Sequence, residues 1–193
     1  MAQRIPPHSE TGHTSRMPNY RRNRVPGGTF FFTVNLLDRR SVLLVTEVAR
    51  LRAAVRQVRS LAPFHIDAWV VLPDHMHCLW TLPQGDADFP GRWRAIKLAF
   101  AKSFPSAEPR PAVMTRRGER GIWQRRYWEH MIRDDHDFAV HFDYIHFNPV
   151  KYGLVSNPTD WPHSTFRHCL AAGLHPAGWI GNRDEPQCTG ERQ

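Results

Sequence analysis

The sequence predicts an α+β fold in which a mostly antiparallel sheet carries helices on one face, as in the split βαβ unit of ferredoxin-like proteins. Runs rich in aromatic and β-branched residues indicate strands. Longer segments with apolar residues at spacings of three and four indicate amphipathic helices. These segments follow one another in the order strand, helix, strand, strand, helix, strand, helix, and this order predicts the split βαβ arrangement.

The first half of the chain contains three predicted strands and one helix. The first strand is 27–37, GGTFFFTVNLL, where aromatic and β-branched residues follow two glycines. The helix begins at Thr46, its expected N-cap, and ends near Leu61, with apolar residues and arginines at helical spacing. Strands 64–72 and 75–82 are separated by Pro73 and Asp74, a pair typical of tight turns, so these two strands are expected to pair antiparallel.

The second half contains two longer helices, one strand and a short final helix. Segment 89–104 has aromatic and apolar residues on one side and basic residues on another, which predicts a helix. Segment 105–121 is rich in proline and arginine and is expected to be a loop. Strand 122–132 follows, and then a helix over 134–148 with acidic residues in its first turn. Segment 160–168 is expected to open a last short helix.

The charge of the chain indicates its kind of partner. Among 193 residues, 26 are lysine or arginine and 18 are aspartate or glutamate, a formal net charge of +8. Such an excess favours polyanions, above all nucleic acid. Three scattered cysteines are typical of a reducing cytosol rather than of a disulfide framework. No apolar run reaches the length of a membrane span, so no membrane partner is expected.

One domain with tails is the expected organisation. Residues 1–17 are polar and lack the apolar stretch of a signal peptide, so a disordered N-terminal tail is expected there. The sequence leaves open whether Met1 or Met17 is the start. Residues 18–155 form the predicted domain. Residues 156–193 form a C-terminal extension that is expected to pack on or near the surface that binds nucleic acid.

Two histidines flank one methionine in LPDHMHCLWTL, residues 72–82. Because side chains alternate along a strand, His75 and His77 share one face, and the other face is lined by Met76, Cys78 and Trp80. The apolar face has the character of a core. The two imidazoles, about 6.5–7 Å apart along the strand, can converge on one metal ion. The same pair also fits ordinary hydrogen bonding on a half-exposed face, and the motif alone does not decide between these roles.

The helix over 134–148 offers a reactive group and a further ligand. A polar stripe at spacings of three and four borders its apolar stripe and contains Asp137, His141, Tyr144 and Asn148. Tyr144 and Asn148 lie one turn apart and are therefore neighbours. Pro149 disfavours helical geometry in the residue before it, so the helix is expected to end at Asn148. A boundary tyrosine and a C-terminal capping amide are the alternative roles of these two residues.

Together these segments resemble the HUH endonucleases, in which two histidines flank a hydrophobic residue on one strand. The stretch WQRRYWEHMIRDDHDFAVHFDYIHFNPVKYGLV (123–155) is similar to the catalytic-helix region of their single-tyrosine transposases, within the insertion-sequence transposase superfamily. It resembles above all the REP-associated tyrosine transposases. The stretches YRRNRVPGGTFFFTVNL (20–36) and DWPHSTF (160–166) also match that group. The resemblance covers residues 18–180.

The resemblance implies a fold, a reaction and a set of site residues. The fold is the HUH endonuclease fold, and a divalent cation, Mg²⁺ or Mn²⁺, is held by His75, His77 and Asn148, where many relatives have Gln at the last position. Tyr144 is the implied nucleophile, which forms a 5′-phosphotyrosine and permits later rejoining without ATP or another nucleotide cofactor. The implied substrate is single-stranded DNA that folds into hairpins of the REP palindrome type, and the implied process is transposition. A monomer in the bacterial cytoplasm, at the nucleoid, is expected.

Basic residues are the candidate contacts to the DNA backbone. The predicted contacts are Arg21, Arg22, Arg24, Arg94, Lys97, Arg125 and Arg126. Any one of them is also compatible with simple solvation. Two alternatives to the transposase remain open from sequence. One is a hairpin-binding protein on the same fold whose chemistry is lost. The other is a His-x-His metallohydrolase, for which His65 and Asp67 are the available further ligands.

Overall fold

The computed structural model describes residues 24–105, 121–176 and 178–181. The strands in these ranges are β1 (Thr29–Asn35), β2 (His65–Val71), β3 (His75–Thr81) and β4 (Trp128–Met131). The helices are α1 (Leu43–Thr46), α2 (Val48–Leu61), α3 (Phe89–Lys102), α4 (Asp135–Lys151) and α5 (Phe166–Ala171), with a 3₁₀ turn over Pro158–Asp160. The predicted N-terminal tail, Arg21 and Arg22 lie outside the described residues.

The sheet has the strand order β2-β3-β1-β4, and every neighbouring pair is antiparallel. The long first strand pairs along its whole length with β3, from Thr29 opposite Thr81 to Asn35 opposite His75. The tight turn at Pro73-Asp74 joins β2 to β3, and Leu72 N donates to His75 O at 2.8 Å across it. The α+β class and the ferredoxin-like strand order are therefore confirmed.

One face of the sheet carries the larger apolar core, because alternate residues of β1 and β3 point toward α2 and α3. The fully buried aromatic side chains in this core are Phe30, Phe32, Trp80, Phe89, Trp93 and Phe100. The faces predicted from the alternation along β3 are confirmed, since Met76, Cys78 and Trp80 all lie in this core.

The opposite face is covered as well, which corrects the prediction that all helices lie on one face. Phe31 and Leu79 project from this face, and Phe142 and Ile145 of α4 pack on them together with Cys169 of α5. The two crossover helices α2 and α3 do share a face, as the split βαβ pattern requires. The third long helix comes after the last strand, so nothing in that pattern assigns it a side.

Several element boundaries differ from the prediction for local reasons. Thr46 is not the N-cap of α2, because its hydroxyl donates to Val42 O and Leu43 O within α1. The predicted strand over 122–132 is shortened to Trp128–Met131. Trp123 makes only an isolated bridge with Leu36 before the chain enters β4.

The helix α4 does not end at Asn148 but continues through Pro149 to Lys151. Proline lacks the N–H that would bond to Ile145 O, and a proline inside a helix usually ends or kinks it for this reason. Here the next donors extend the helix by one turn, because Tyr152 N donates to Asn148 O at 3.0 Å and Leu154 N donates to Pro149 O at 2.9 Å. Asn148 is thus an interior helical residue.

The described part of the C-terminal extension packs on the domain. Its backbone adds to the outer edge of β2, where Val71 N donates to His163 O and Thr165 N donates to Trp69 O, both at 2.8 Å. No helix among the described residues combines the length and apolarity that a bilayer crossing requires.

A buried histidine pair also ties this extension to α4. His146 and His175 share a hydrogen bond of 2.8 Å between Nδ1 and Nε2, and His146 Nε2 lies 2.9 Å from Thr165 Oγ1. Burial, followed by the nearby charge of His175, lowers the pKa of His146 to about 3. Burial also lowers the pKa of His175. Both rings are therefore neutral in the folded protein at neutral pH.

Acid is expected to destabilise the fold through this pair. The unfolded chain binds a proton at His146 below pH ~6.5, whereas the folded chain does so only near pH 3. The stabilisation from neutral His146 is thus fully present above pH ~6.5 and is lost as the pH falls. The free energy of unfolding should decrease by roughly 2–3 kcal/mol from His146 alone between pH 6.5 and 4.5. Urea unfolding in EDTA at both pH values measures the loss. His146→Gln should be less stable at pH 7 but less sensitive to acid, and an unchanged pH slope would contradict the assignment.

Candidate active site

The two histidines of β3 lie under α4 rather than on a half-exposed face. The exposed fraction is 1% for His75 and 0% for His77. Their ring centroids are 5.0 Å apart, and the ring planes are inclined at 84°. Both residues project from the face of the sheet that α4 covers. A surface role in ordinary solvent hydrogen bonding does not fit this burial.

Each imidazole is held by a partner on its Nδ1 side. His75 Nδ1 lies 2.7 Å from Asp74 Oδ1, and His77 Nδ1 lies 2.8 Å from Thr33 Oγ1. A carboxylate only accepts, so His75 donates from Nδ1, and Nε2 is the nitrogen that is placed to coordinate a metal ion. Asp74 is in turn held by Arg39 at 2.8 Å. Burial raises the pKa of Asp74, but the hydrogen bond from His75 and the charges of His75 and Arg39 outweigh it, and the pKa lies below its usual value.

Tyr144 of α4 lies beside this histidine pair. The Tyr144 ring is 5.3 Å from the His77 ring in an edge-on arrangement, and its exposed fraction is 4%. Phe31 also contacts the Tyr144 ring edge-on, at 6.1 Å. The strand and the helix therefore place an imidazole and a phenol in contact although 67 residues separate them in sequence.

The Asn148 side chain fits a metal-ligand role. Its Nδ2 donates to Tyr144 O at 3.1 Å. Since a backbone carbonyl only accepts, this bond identifies the other side-chain atom as the carbonyl oxygen Oδ1. That oxygen is buried and accepts no hydrogen bond from the described residues. Two imidazole nitrogens and one amide oxygen form a donor set that suits a divalent cation.

Two further residues near the site were not assigned a role from sequence. Lys151 places its ammonium 4.9 Å from the centre of the Tyr144 ring. The ring of Tyr152 lies 5.2 Å from that of His75, and 44% of Tyr152 is exposed. The sequence carried a signal for Lys151, which lies seven residues, or about two turns, after Tyr144. It carried none for Tyr152, because its approach to His75 depends on the helix continuing past Pro149.

The predicted DNA contacts are distributed unevenly. The exposed members are Arg24, Arg94, Arg125 and Arg126. Lys97 is partly buried, and its Nζ donates to Gln124 O at 3.0 Å. The same ammonium lies over the rings of Trp123 and Tyr127, at 5.8 and 5.2 Å. Lys97 thus fastens α3 to the segment before β4, a role that its position on a basic helix face does not reveal.

A second group of potential metal ligands lies at the start of α4 and was not predicted as one. His130, Asp137 and His141 place their ligand atoms within 4.8 Å of one another. The Asp137 carboxylate already accepts from His130 Nε2 at 2.8 Å, and from Arg133 N and Nε at 3.0 and 3.2 Å. Burial raises the pKa of Asp137, but these hydrogen bonds outweigh it and the pKa is lowered. Imidazole and carboxylate donors suit a divalent cation, yet a guanidinium at this distance opposes one. The group fits an anchor for the first turn of α4.

Asp74 is expected to control metal affinity through His75. Asp74→Ala should weaken Mn²⁺ binding by roughly 10–100-fold, since it removes the partner that orients the ring and fixes its tautomer. Asp74→Asn keeps an acceptor oxygen and should recover part of the affinity. Titration calorimetry with Mn²⁺ measures both effects. The matched control is Asp38→Ala, an exposed aspartate bonded to Arg40, and an equal loss in this variant would contradict the role of Asp74.

Comparison with known proteins places the chain in a family. No family model matches the sequence. The chain is 50% identical over 166 residues to a REP-associated tyrosine transposase of Escherichia coli (strain K12). This aligned region covers 86% of this chain and 93% of that protein. A Haemophilus influenzae protein assigned to the same group is 43% identical over 170 residues, or 87% of this chain and 96% of that protein.

A solved structure agrees with these sequence matches. A REP-associated tyrosine transposase bound to a REP hairpin matches this fold with a TM-score of 0.78 and 48% identity, over 92% of this chain and 99% of that chain. The resemblance found in the sequence is thereby confirmed at the level of fold and family. The chain belongs to the family of REP-associated tyrosine transposases.

Proposed function

We propose that this protein is a metal-dependent endonuclease and transposase that cleaves and rejoins single-stranded, hairpin-forming DNA through a 5′-phosphotyrosine. Its family is one of tyrosine transposases, which are DNA-processing enzymes. The observation that carries the proposal is the contact of His77 with Tyr144 inside a buried site, with a centroid distance of 5.3 Å. Asn148 lies one turn from that tyrosine, and its buried carbonyl oxygen accepts no hydrogen bond from the described residues.

Tyr144 is the proposed nucleophile. Its hydroxyl oxygen forms a bond to the scissile phosphorus, and the bond from phosphorus to the 3′ oxygen breaks. The tyrosine loses its hydroxyl proton, and the departing 3′ oxygen takes up a proton. The phosphodiester bond is conserved as a phosphotyrosine, so a later 3′-hydroxyl can reverse the exchange without a nucleotide cofactor.

His75, His77 and Asn148 are the proposed metal ligands. A bound divalent cation would polarise a non-bridging phosphate oxygen and offset the charge that develops there. Because Nδ1 of each ring is hydrogen-bonded, Nε2 is the proposed ligand atom of both histidines. Two imidazoles suit Mn²⁺ better than Mg²⁺, which prefers oxygen donors, so we propose Mn²⁺ as the more effective ion.

The proposed substrate follows from charge and from a relative. A related transposase has been solved bound to a REP hairpin, and this chain carries a net charge of +8. Exposed arginines at positions 24, 94, 125 and 126 are the proposed phosphate contacts. His77 and Tyr144 meet within one chain, which supports a monomer as the active form. With such a substrate, the proposed location is the nucleoid of the bacterial cytoplasm.

A covalent-adduct assay tests the proposal. The protein is incubated with a labelled single-stranded oligonucleotide that contains a REP-type hairpin, in Mn²⁺ or in EDTA, and is then denatured. We expect a labelled protein–DNA adduct in Mn²⁺ and none in EDTA. Hairpin binding without an adduct would favour the protein with lost chemistry. Two DNA ends free of protein would favour the metallohydrolase instead.

A further inference from the structure

A groove lies outside the proposed active site, between α2 and the edge strand β2. Residues 163–165 close one side of it by pairing with β2. Its volume is about 230 Å³. Sites for drug-sized ligands measure about 300–1,000 Å³, so this groove suits one flat ring rather than a whole cofactor.

The floor of the groove is apolar. It is formed by side chains from one face of α2 and from β2, namely Leu51, Val55, Ile66, Trp69 and Val71. Trp69 is 7% exposed and packs at its back on Trp80, with ring centroids 5.6 Å apart. The indole Nε1 of Trp69 donates to no partner among the described residues. An aromatic ring held in this way is a rigid surface for a second flat ring.

The rim of the groove is basic. Arg52, Arg56 and Arg59 lie at spacings of four and three along α2, so they share one face, and all three are exposed. None of the described residues that line the groove is acidic. Burial and then the charge of Arg52 lower the pKa of His163 on the opposite side. The groove therefore combines an apolar floor with a positively charged edge.

We propose that this groove binds one unpaired nucleotide of the DNA strand that flanks the hairpin. The base would lie on the apolar floor, as bases do on aromatic surfaces of single-strand binding proteins. The phosphates would meet the arginine fork of Arg56 and its neighbours on the rim. The inference rests on the proposed function for the presence of such a strand. The binding itself requires neither Tyr144 nor a metal ion.

Charge and size together favour this occupant over a peptide. An apolar peptide segment would leave three arginines facing only its backbone, and an acidic segment would leave the apolar floor unused. A nucleotide carries a flat base and an anionic phosphate on the same sugar. The base matches the apolar floor of the groove, and the phosphate matches its basic rim. This match favours DNA as the occupant.

Photochemical cross-linking tests the location. The full-length wild-type protein in EDTA is irradiated with (dT)₁₂ in which one thymine is replaced by 5-iodouracil, and the cross-linked peptides are identified by mass spectrometry. We expect cross-links within residues 51–71, with Trp69 foremost. Cross-links confined to other parts of the chain would overturn the inference. A groove that is occupied by a peptide segment would give no cross-links within residues 51–71 and would overturn it as well.

A charge-reversal pair tests the rim. Arg56→Glu should weaken (dT)₁₂ binding about tenfold in fluorescence anisotropy and lower the salt slope by about one or more. The matched control is Arg50→Glu on the same helix, outside the groove lining, where the side chain bonds to Glu47 and to Ser103 O. The control should change affinity less than twofold. Equal losses in the two variants would mean that only overall charge matters, and would overturn the inference.

The two proposals fail separately. Cross-links at the groove without a covalent adduct in Mn²⁺ would support the groove as a nucleotide site and contradict the proposed reaction. A covalent adduct with cross-links only outside the groove would support the proposed reaction and contradict nucleotide binding at the groove. Both measurements use the same full-length chain.

Discussion

Replacement of Tyr144 by phenylalanine is expected to abolish the covalent protein–DNA adduct and to lower strand cleavage by about 10³-fold or more. The variant removes one oxygen atom and keeps the ring that contacts Phe31 and His77. Hairpin binding should therefore remain within about twofold of wild type. Gel analysis after denaturation measures the adduct, and anisotropy measures the binding.

Tyr152 supplies the matched control for this substitution. It also lies at the site, 5.2 Å from His75, and unlike Tyr144 it is substantially exposed. Tyr152→Phe should retain the adduct. An adduct that persists in Tyr144→Phe and disappears in Tyr152→Phe would identify Tyr152 as the nucleophile and contradict that role for Tyr144.

His77→Ala is expected to lose Mn²⁺ binding and cleavage together. The residue supplies one of two imidazoles and touches the proposed nucleophile, so its loss should exceed the roughly 10–100-fold effect of removing an outer hydrogen-bond partner. Calorimetry measures the metal affinity, and the adduct assay measures the reaction. Because His77 is fully buried, urea unfolding of each variant must confirm a folded protein.

A second substitution and a control make this result specific. His77→Leu fills more of the volume, offers no donor atom to a metal ion and should bind Mn²⁺ as poorly as His77→Ala. His65→Ala removes an exposed histidine of β2 that bonds to Asp67, and it should behave as wild type. Metal binding that survives in both His77 variants would exclude this residue as a ligand. Full loss in His65→Ala would instead point toward the metallohydrolase.

The period of a strand explains how much of this site could be predicted. Alternation along β3 separated His75 and His77 from Met76, and the structure confirms both faces. The spacing of Tyr144 and Asn148 placed these residues one turn apart on one helix, and the structure has Asn148 Nδ2 bonded to Tyr144 O. Both predictions rest on local geometry, which a single segment determines by itself.

The remainder depends on contacts between distant segments. Burial of the histidines follows from the face on which α4 packs, and the periodicity of α4 does not state which sheet face it covers. The continuation of α4 beyond Pro149 depends on later donors, those of Tyr152 and Leu154. The role of Thr33 could not be predicted for another reason. Its bond to His77 depends on the register of β1 against β3, and the two residues lie 44 positions apart in sequence.

The pairing of residues 163–165 with β2 has a consequence for self-association. An open edge strand offers unsatisfied backbone groups to any other extended chain, which is a route to aggregation. Here Val71 N and Trp69 O are already taken by His163 and Thr165. A chain that ended at residue 160 would expose this edge beside an apolar groove, so truncation there should yield a protein that aggregates through strand exchange rather than a smaller soluble domain.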